Sequence, residues 1–260
     1  MINRYKAKKR LGQNFLIDKL VIQNIINSIH PKSSDIFVEI GPGKGAITLP
    51  IAQSGAELHA IELDRDLIPD LRKKFKLFPK ITIHHDDALR FNYSSIGKKL
   101  RIIGNLPYNI STPLLFSLVE HTENMLDQHL MLQKEVANRL SAKPGEKSFG
   151  RLTVMFGTYM NTFQLFDVPN TAFKPTPKIV SSVVKIKSKP KNEIIIKNSE
   201  NLSKLVKKAF SQRRKTLRNS LKELVSVKIL EELNIDPSKR AEEIPIISWS
   251  RLSNKIHIQR

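Results

Sequence analysis

The sequence predicts an α/β chain: a doubly wound domain on a mostly parallel sheet, followed by a small all-helical domain. Three observations carry this. Short apolar runs at 36–40, 57–61, 81–85, 100–104 and 129–133 alternate with helical patterns at 46–54, 67–75 and 113–120, which is the rhythm of βαβ units. A glycine-rich turn, Gly41-Pro42-Gly43-Lys44-Gly45, follows the first run and opens a helical pattern. Beyond the polar stretch Ser188-Lys189-Pro190-Lys191-Asn192, strand signals give way to helices at 202–210, 217–224, 228–233 and 249–256.

Each element has a local reason. The strand runs are short and bounded by turn residues, as strands of a parallel sheet are. The helix at 113–120 has Ser111 or Thr112 as its N-cap and Pro113 at its first position, where a missing N–H costs nothing. Residues 180–186 read as a later strand that closes the sheet, in a hairpin with 163–168, giving seven strands in all. The expected division is therefore a catalytic domain at 1–188 and a helical domain at 193–260.

Composition narrows the function classes. Cys is absent, which removes disulfides, thiolate metal sites and Cys nucleophiles and fits a reducing compartment. Lys and Arg number 44 against 24 Asp and Glu, a formal charge of +20 that calls for a polyanionic partner. No stretch approaches the roughly 18 apolar residues of a membrane span. The basic N-terminus (Arg4, Lys6, Lys8, Lys9, Arg10) is followed by no apolar segment of a secretory signal. A cytoplasmic nucleic-acid-binding protein, with no membrane association, is the expectation. Residues 201–222 hold eight Lys/Arg and no Asp/Glu, and with the basic N-terminus they are expected to track phosphates.

The tetrapeptide Asn105-Leu106-Pro107-Tyr108 ends the 100–104 strand, where open α/β sheets bind ligands. An Asn oxygen and the carbonyl before a proline can both accept from one planar NH2 group. A neighbouring Tyr ring can stack on a flat heterocycle. The set suits an amino group on an aromatic base.

The glycine turn is no P-loop, because Gly45 follows Lys44 where Ser or Thr is needed. Gly41, Gly43 and Ala46 fit the dinucleotide fingerprint, with Glu62 at the position of a ribose-binding acid, so the turn alone does not separate NAD from another adenosine cofactor. The charges separate them. Glu39, Glu62, Asp64, Asp86 and Asp87 lie near strand ends and would repel a pyrophosphate while favouring a cation. S-adenosylmethionine, a sulfonium without phosphate, fits, with Glu62 on the ribose hydroxyls and Asp87 on the adenine amino group. His84-His85-Asp86-Asp87 points to alternate sides of a strand, so no metal is expected there. Hydrolase motifs are absent.

These residues resemble the ribosomal RNA adenine N6,N6-dimethyltransferase family along nearly the whole chain. Leu11-Gly12-Gln13-Asn14-Phe15-Leu16 is similar to its cofactor-covering segment, the glycine turn with Glu39 to its glycine loop, Glu62 to its ribose acid, and Asp87-Ala88 to its adenine-binding pair. Asn105-Leu106-Pro107-Tyr108 resembles its catalytic tetrapeptide. Phe149-Gly150-Arg151-Leu152 and Phe173-Lys174-Pro175-Thr176-Pro177-Lys178 resemble later family segments. Phe210-Ser211-Gln212-Arg213-Arg214-Lys215-Thr216-Leu217-Arg218-Asn219 resembles the basic start of the C-terminal domain. Val180 departs from the Asp often found in relatives.

The resemblance implies a Rossmann-like, S-adenosylmethionine-dependent methyltransferase domain. It implies catalytic roles for Asn105, Leu106, Pro107, Tyr108 and Phe173, with Phe173 beside the target base. Cofactor contacts fall on Asn14, Leu16, Glu39, Gly41, Gly43, Glu62, Asp87, Ala88 and Asn105. RNA contacts fall on Arg213, Arg214, Lys215 and Arg218. The implied reaction is N6,N6-dimethylation of two adjacent adenosines near the 3′ end of small-subunit (16S) rRNA, in free rRNA or a pre-30S subunit, by a monomer without metal. Competing readings are a large-subunit enzyme of the macrolide-resistance type, a non-catalytic RNA-binding assembly or transcription factor, and an NAD-dependent oxidoreductase.

Overall fold

Residues 7–256 are described by the computed structural model. Arg4 and Lys6, expected to help track phosphates, lie outside the described residues. By internal packing the chain divides into two units. One is the stretch up to Ala137 with Phe163–Lys187; the other is Asn138–Thr162 with the stretch from Ser188.

The elements run β1 (Phe15–Leu16), α1 (Lys19–Ile29), β2 (Ile36–Ile40), α2 (Thr48–Gln53), β3 (Glu57–Glu62), α3 (Ile68–Lys74), β4 (Ile81–His85), β5 (Leu100–Asn105), α4 (Ser111–Glu120) and β6 (Met125–Gln133). Next come α5 (Lys134–Ser141), α6 (Arg151–Gly157), β7 (Met160–Val168), β8 (Phe173–Lys174) and β9 (Ser181–Ser188). The last are α7 (Ser199–Phe210), α8 (Leu217–Ser220), α9 (Val227–Glu232) and α10 (Ile246–Lys255).

Seven strands form one sheet in the order β4-β3-β2-β5-β6-β9-β7. Strands β2 to β6 pair in parallel, and β9 runs antiparallel to β6. The central strands are apolar because both faces are covered: Phe37, Val38, Ile40, Leu100, Ile102 and Ile103 are all buried. Arg101 is the exception inside β5. Its guanidinium donates to both Asp127 oxygens at 3.0 Å, to Asp35 at 2.8 Å and to the Ile29 carbonyl at 2.8 Å, so its buried charge is fully partnered.

Chain order reverses between β2 and β5, since β3 and β4 lie on one side and β6 on the other. That switch point is where an open sheet leaves a crevice at its carboxyl edge. The two strands approach closely there: a Cβ on Gly104 would lie 2.6 Å from the Ile40 carbonyl oxygen. A second, two-stranded ladder joins distant segments, with Phe15 opposite Lys174 and Leu16 opposite Phe173. Helix α1 follows it at once, capped by Asp18, whose side chain accepts from the Leu20 and Val21 amides.

The structure departs from the expected elements in four places. Strand β6 begins at Met125 rather than 129, because Asp127 and Gln128 are buried there despite their polarity. Helix α4 begins at Ser111, with Ile110 in the cap position. The Ser111 hydroxyl donates instead to the Tyr108 carbonyl at 3.2 Å, and Pro113 falls at the third position of the helix. Of 217–224 only Leu217–Ser220 is helical. Residues 138–162 pack with the second unit, where Ala142, Phe149 and Val154 share a core with Leu202, Leu205, Val206 and Trp249.

Gly104→Ala should lower stability by ~1–3 kcal/mol, since the added methyl meets backbone that cannot swing away. Urea unfolding checks this; a loss below ~0.5 kcal/mol, the range of an ordinary surface change, would show that β2 and β5 can part without cost.

Candidate active site

The crevice at the switch point holds a cavity of about 330 Å3, in the range of small-molecule sites. The glycine turn forms one wall. Gly41, Gly43 and Gly45 have φ of +67°, +57° and +74°, the left-handed region that residues with a Cβ avoid. A Cβ on Gly43 would lie 3.0 Å from the Phe15 ring, so the turn and the N-terminal segment are packed backbone to ring. Lys74 braces the turn from α3, donating to the Lys44 carbonyl at 2.9 Å.

Acids from successive strand ends line the same cavity: Glu39, Glu62, Asp86 and Asp87. Glu62 is oriented by backbone donors, its two oxygens accepting from Gly43 N at 3.1 Å and Asp64 N at 2.9 Å. Burial raises its pKa. Glu39 is 2% exposed and accepts from the Thr48 hydroxyl at 2.5 Å. Burial, with Glu62 nearby, pushes its pKa up to about 7. Asp64 does not belong to this rim, contrary to the sequence expectation. It is buried and bound by Lys8 Nζ at 2.5 Å and by Gln13 Nε2 at 2.9 Å, which straps the segment before β1 onto the end of β3.

That segment also sets the Asn105 amide. Asn105 Nδ2 donates to the Asn14 carbonyl at 2.9 Å, so the side chain commits its donor to the strap and leaves Oδ1, an acceptor, for the cavity. Leu106 N donates to the Met131 carbonyl at 3.1 Å, fixing the backbone on which the Leu106 carbonyl stands.

Every expected cofactor residue lines the cavity: Asn14, Leu16, Glu39, Gly41, Gly43, Glu62, Asp87, Ala88 and Asn105. So do Leu106, Pro107 and Tyr108. Phe173 does not. Its ring is 2% exposed and sits in the core with Leu16, Ile47, Met131 and Val183, since pairing with Leu16 turns it inward. Other lining residues were not expected, Leu63 and Arg10 among them. Leu63 is half exposed, an apolar surface beside the Glu62 carboxylate, and its place directly after the ribose acid was the available signal. Arg10 carried no such signal, because its position depends on the long-range Lys8 and Gln13 contacts with Asp64.

In the second unit, a cleft of about 450 Å3 is lined by Lys208, Arg214, Lys215 and Lys222 against one carboxylate, Glu223. Arg214 and Lys215 are exposed, as is Arg218 nearby. Arg213 is exposed too, but its guanidinium is already engaged within the chain. Its guanidinium holds Glu242 at 3.1 Å and the Lys147 and Phe149 carbonyls at 3.1 and 3.3 Å, so its charge secures the loop before α6.

Glu39 gives a pH signature. Its raised pKa favours a protonated folded state, so its contribution to stability is full below its ordinary value of 4.5 and is lost as pH rises through about 7. Between pH 5 and pH 8, Glu39→Gln should gain ~2 kcal/mol relative to the unaltered chain in chemical unfolding. Parallel pH profiles for the two proteins would refute a protonated Glu39.

Comparison with known proteins meets this geometry. Ribosomal RNA small subunit methyltransferase A of Dechloromonas aromatica is 48% identical over 248 residues, covering 95% of this chain and 97% of its own. The protein of that name from Pseudomonas aeruginosa is 45% identical over 256 residues, covering 97% and 96%. A dimethyladenosine transferase from Plasmodium falciparum superposes with a TM-score of 0.80 at 25% identity, covering 92% of this chain and 95% of that one. The 23S rRNA methyltransferase ErmE shares the fold, with a TM-score of 0.74 at 22% identity over 94% and 99% of the two chains. The domain thus has the Rossmann-like methyltransferase fold with a mostly parallel seven-stranded sheet. The family profile described as Ribosomal RNA adenine dimethylase matches residues 4–257, and this chain belongs to that family.

Proposed function

We propose that the chain is an S-adenosylmethionine-dependent rRNA adenine N6,N6-dimethyltransferase. Its substrate is two adjacent adenosines near the 3′ end of small-subunit rRNA, and it acts as a cytoplasmic monomer during subunit assembly. The observation that carries this is the Asn105 amide, turned by the Asn14 carbonyl so that its oxygen remains for a substrate N–H, at the edge of an acid-lined cavity. Likeness at near full length to proteins named for the small subunit supports that substrate over the large-subunit alternative.

The cavity fits the cofactor by its chemistry. Glu62 is aimed by two backbone donors and suits ribose hydroxyls. Asp87, whose side chain accepts from Leu89 N at 3.0 Å, suits the adenine amino group with Ala88 beside it. Carboxylates on the rim attract a sulfonium and disfavour a dinucleotide pyrophosphate. S-adenosylmethionine supplies an electrophilic methyl group when bound.

The chain's own residues do the rest. An adenine amino nitrogen is a poor nucleophile because its lone pair is delocalised into the ring. Asn105 Oδ1 and the Leu106 carbonyl accept its two hydrogens and favour a pyramidal nitrogen. Tyr108, partly buried at the cavity, offers a face on which the base rests. Positioning and fixed dipoles account for the catalysis, and the methylated amine needs no strong base to lose its proton. A stacked adenine cannot reach Asn105, so the target is flipped out or unpaired.

RNA is held at a second place. The cleft of Lys208, Arg214, Lys215 and Lys222, with Arg218 nearby, suits phosphates. The first domain is then catalytic and the helical domain binds rRNA.

The direct test incubates the chain with labelled S-adenosylmethionine and unmethylated small subunits, large subunits or naked rRNA, then assays N6,N6-dimethyladenosine. Label confined to large-subunit RNA would overturn the substrate assignment, and label on none would favour a binding factor. Asn105→Ala should cut methyl transfer by at least ~100-fold, the scale of losing a fixed transition-state hydrogen bond, while cofactor affinity changes little. Equal loss of both would mean Asn105 serves the cofactor instead. Arg214→Ala and Lys215→Ala should each weaken rRNA binding and reduce the salt slope by about 1. Arg213→Ala should lower the melting temperature and leave that slope unchanged, as filter binding across salt concentrations can measure.

A further inference from the structure

Tyr108 is fixed in a way that the tetrapeptide alone does not explain. Its hydroxyl lies 2.9 Å from the hydroxyl of Ser181, the first residue of β9. Ser181 is fully buried, and across the antiparallel ladder it stands opposite Gln133, the last residue of β6. Strand β9 therefore starts at the edge of the sheet where β5 ends and the tetrapeptide begins. At its other end Tyr108 is held by its backbone, whose carbonyl accepts from the Ser111 hydroxyl. The residue is anchored at both the main chain and the ring tip, while it still lines the cavity.

A ring tethered at its hydroxyl has its χ1 and χ2 settled before any base arrives. This matters because the ring plane sets the height and tilt of a stacked base, and so the line from its amino nitrogen to the methyl carbon. Misplacement by about 1 Å at such a site can cost on the order of 100-fold in rate. A buried serine hydroxyl whose hydrogen-bond partner is the cavity tyrosine suits that task better than a packing role, for which alanine would serve in a buried strand position.

We propose that Ser181 is a positioning residue for methyl transfer: through its hydrogen bond to the Tyr108 hydroxyl it holds the ring plane on which the target adenine rests. This rests on the methyltransferase reading above. It assigns the antiparallel strand a part in the chemistry, although Ser181 itself touches neither cofactor nor base.

The test is a double-mutant cycle on the full chain, with Ser181→Ala, Tyr108→Phe and the two combined. Labelled S-adenosylmethionine and unmethylated small subunits give the rate, and titration gives cofactor affinity. Each single change should lower kcat by about 3- to 10-fold, the worth of one hydrogen bond, with KM and cofactor affinity held. The combined variant should be no slower than the slower single variant, because both remove the same bond. Effects that multiply, or a Ser181→Ala protein at the unaltered rate, would overturn the positioning role while leaving the methyltransferase reading standing. An unaltered chain that methylates no rRNA would overturn both. Should Ser181→Ala not fold, Tyr108→Phe decides alone: a fall in kcat at constant cofactor affinity supports the tether, and an unchanged rate overturns it.

Discussion

Strands β2 and β5 touch so closely at Gly104 that only hydrogen fits between them and the Ile40 carbonyl, and the site is built around that contact. It brings the glycine turn after β2 and the tetrapeptide after β5 to the same edge of the sheet. One strand end supplies a wall of the cavity, and the other supplies the Asn105 amide and the Leu106 carbonyl. The apolar runs on either side suit this contact, because both faces of the two strands are buried.

Electrostatics at this edge are graded rather than uniform. A basic chain keeps a small acidic pocket, and the acids in it and beside it have different surroundings. Asp64 is neutralised by Lys8 and works as an anchor for the N-terminal segment. Burial raises the Glu39 pKa to about 7, while Glu62 is aimed by backbone donors. The three therefore differ by what surrounds each: a lysine, backbone amides, or burial.

Much of this was legible in the sequence, and what was missed has a common cause. The parallel strands, the glycine turn and the place of the tetrapeptide at a strand end were readable because each depends on neighbours within a few residues. Phe173 was expected at the target base and is instead in the core, since its direction is set by pairing with Leu16 in a distant segment. Arg213, expected on RNA, is exposed but also holds Glu242 and two carbonyls, because a run of like charges does not reveal which member finds a partner within the chain. The joining of 138–162 to the helical unit was equally hidden, for its apolar residues match a partner core rather than a local pattern. Long-range pairing, not local propensity, was the information that one chain read alone did not carry.

The two-residue ladder between β1 and β8 has a kinetic side. It joins a segment near the start of the chain to one that follows most of the first unit, and closing so long a loop for so few hydrogen bonds is entropically unfavourable until the intervening sheet exists. The strap that orients the Asn105 amide therefore seats late in folding. The glycine turn is local to its own strand and helix, whereas the orientation of the Asn105 amide depends on a segment held by this long-range pairing.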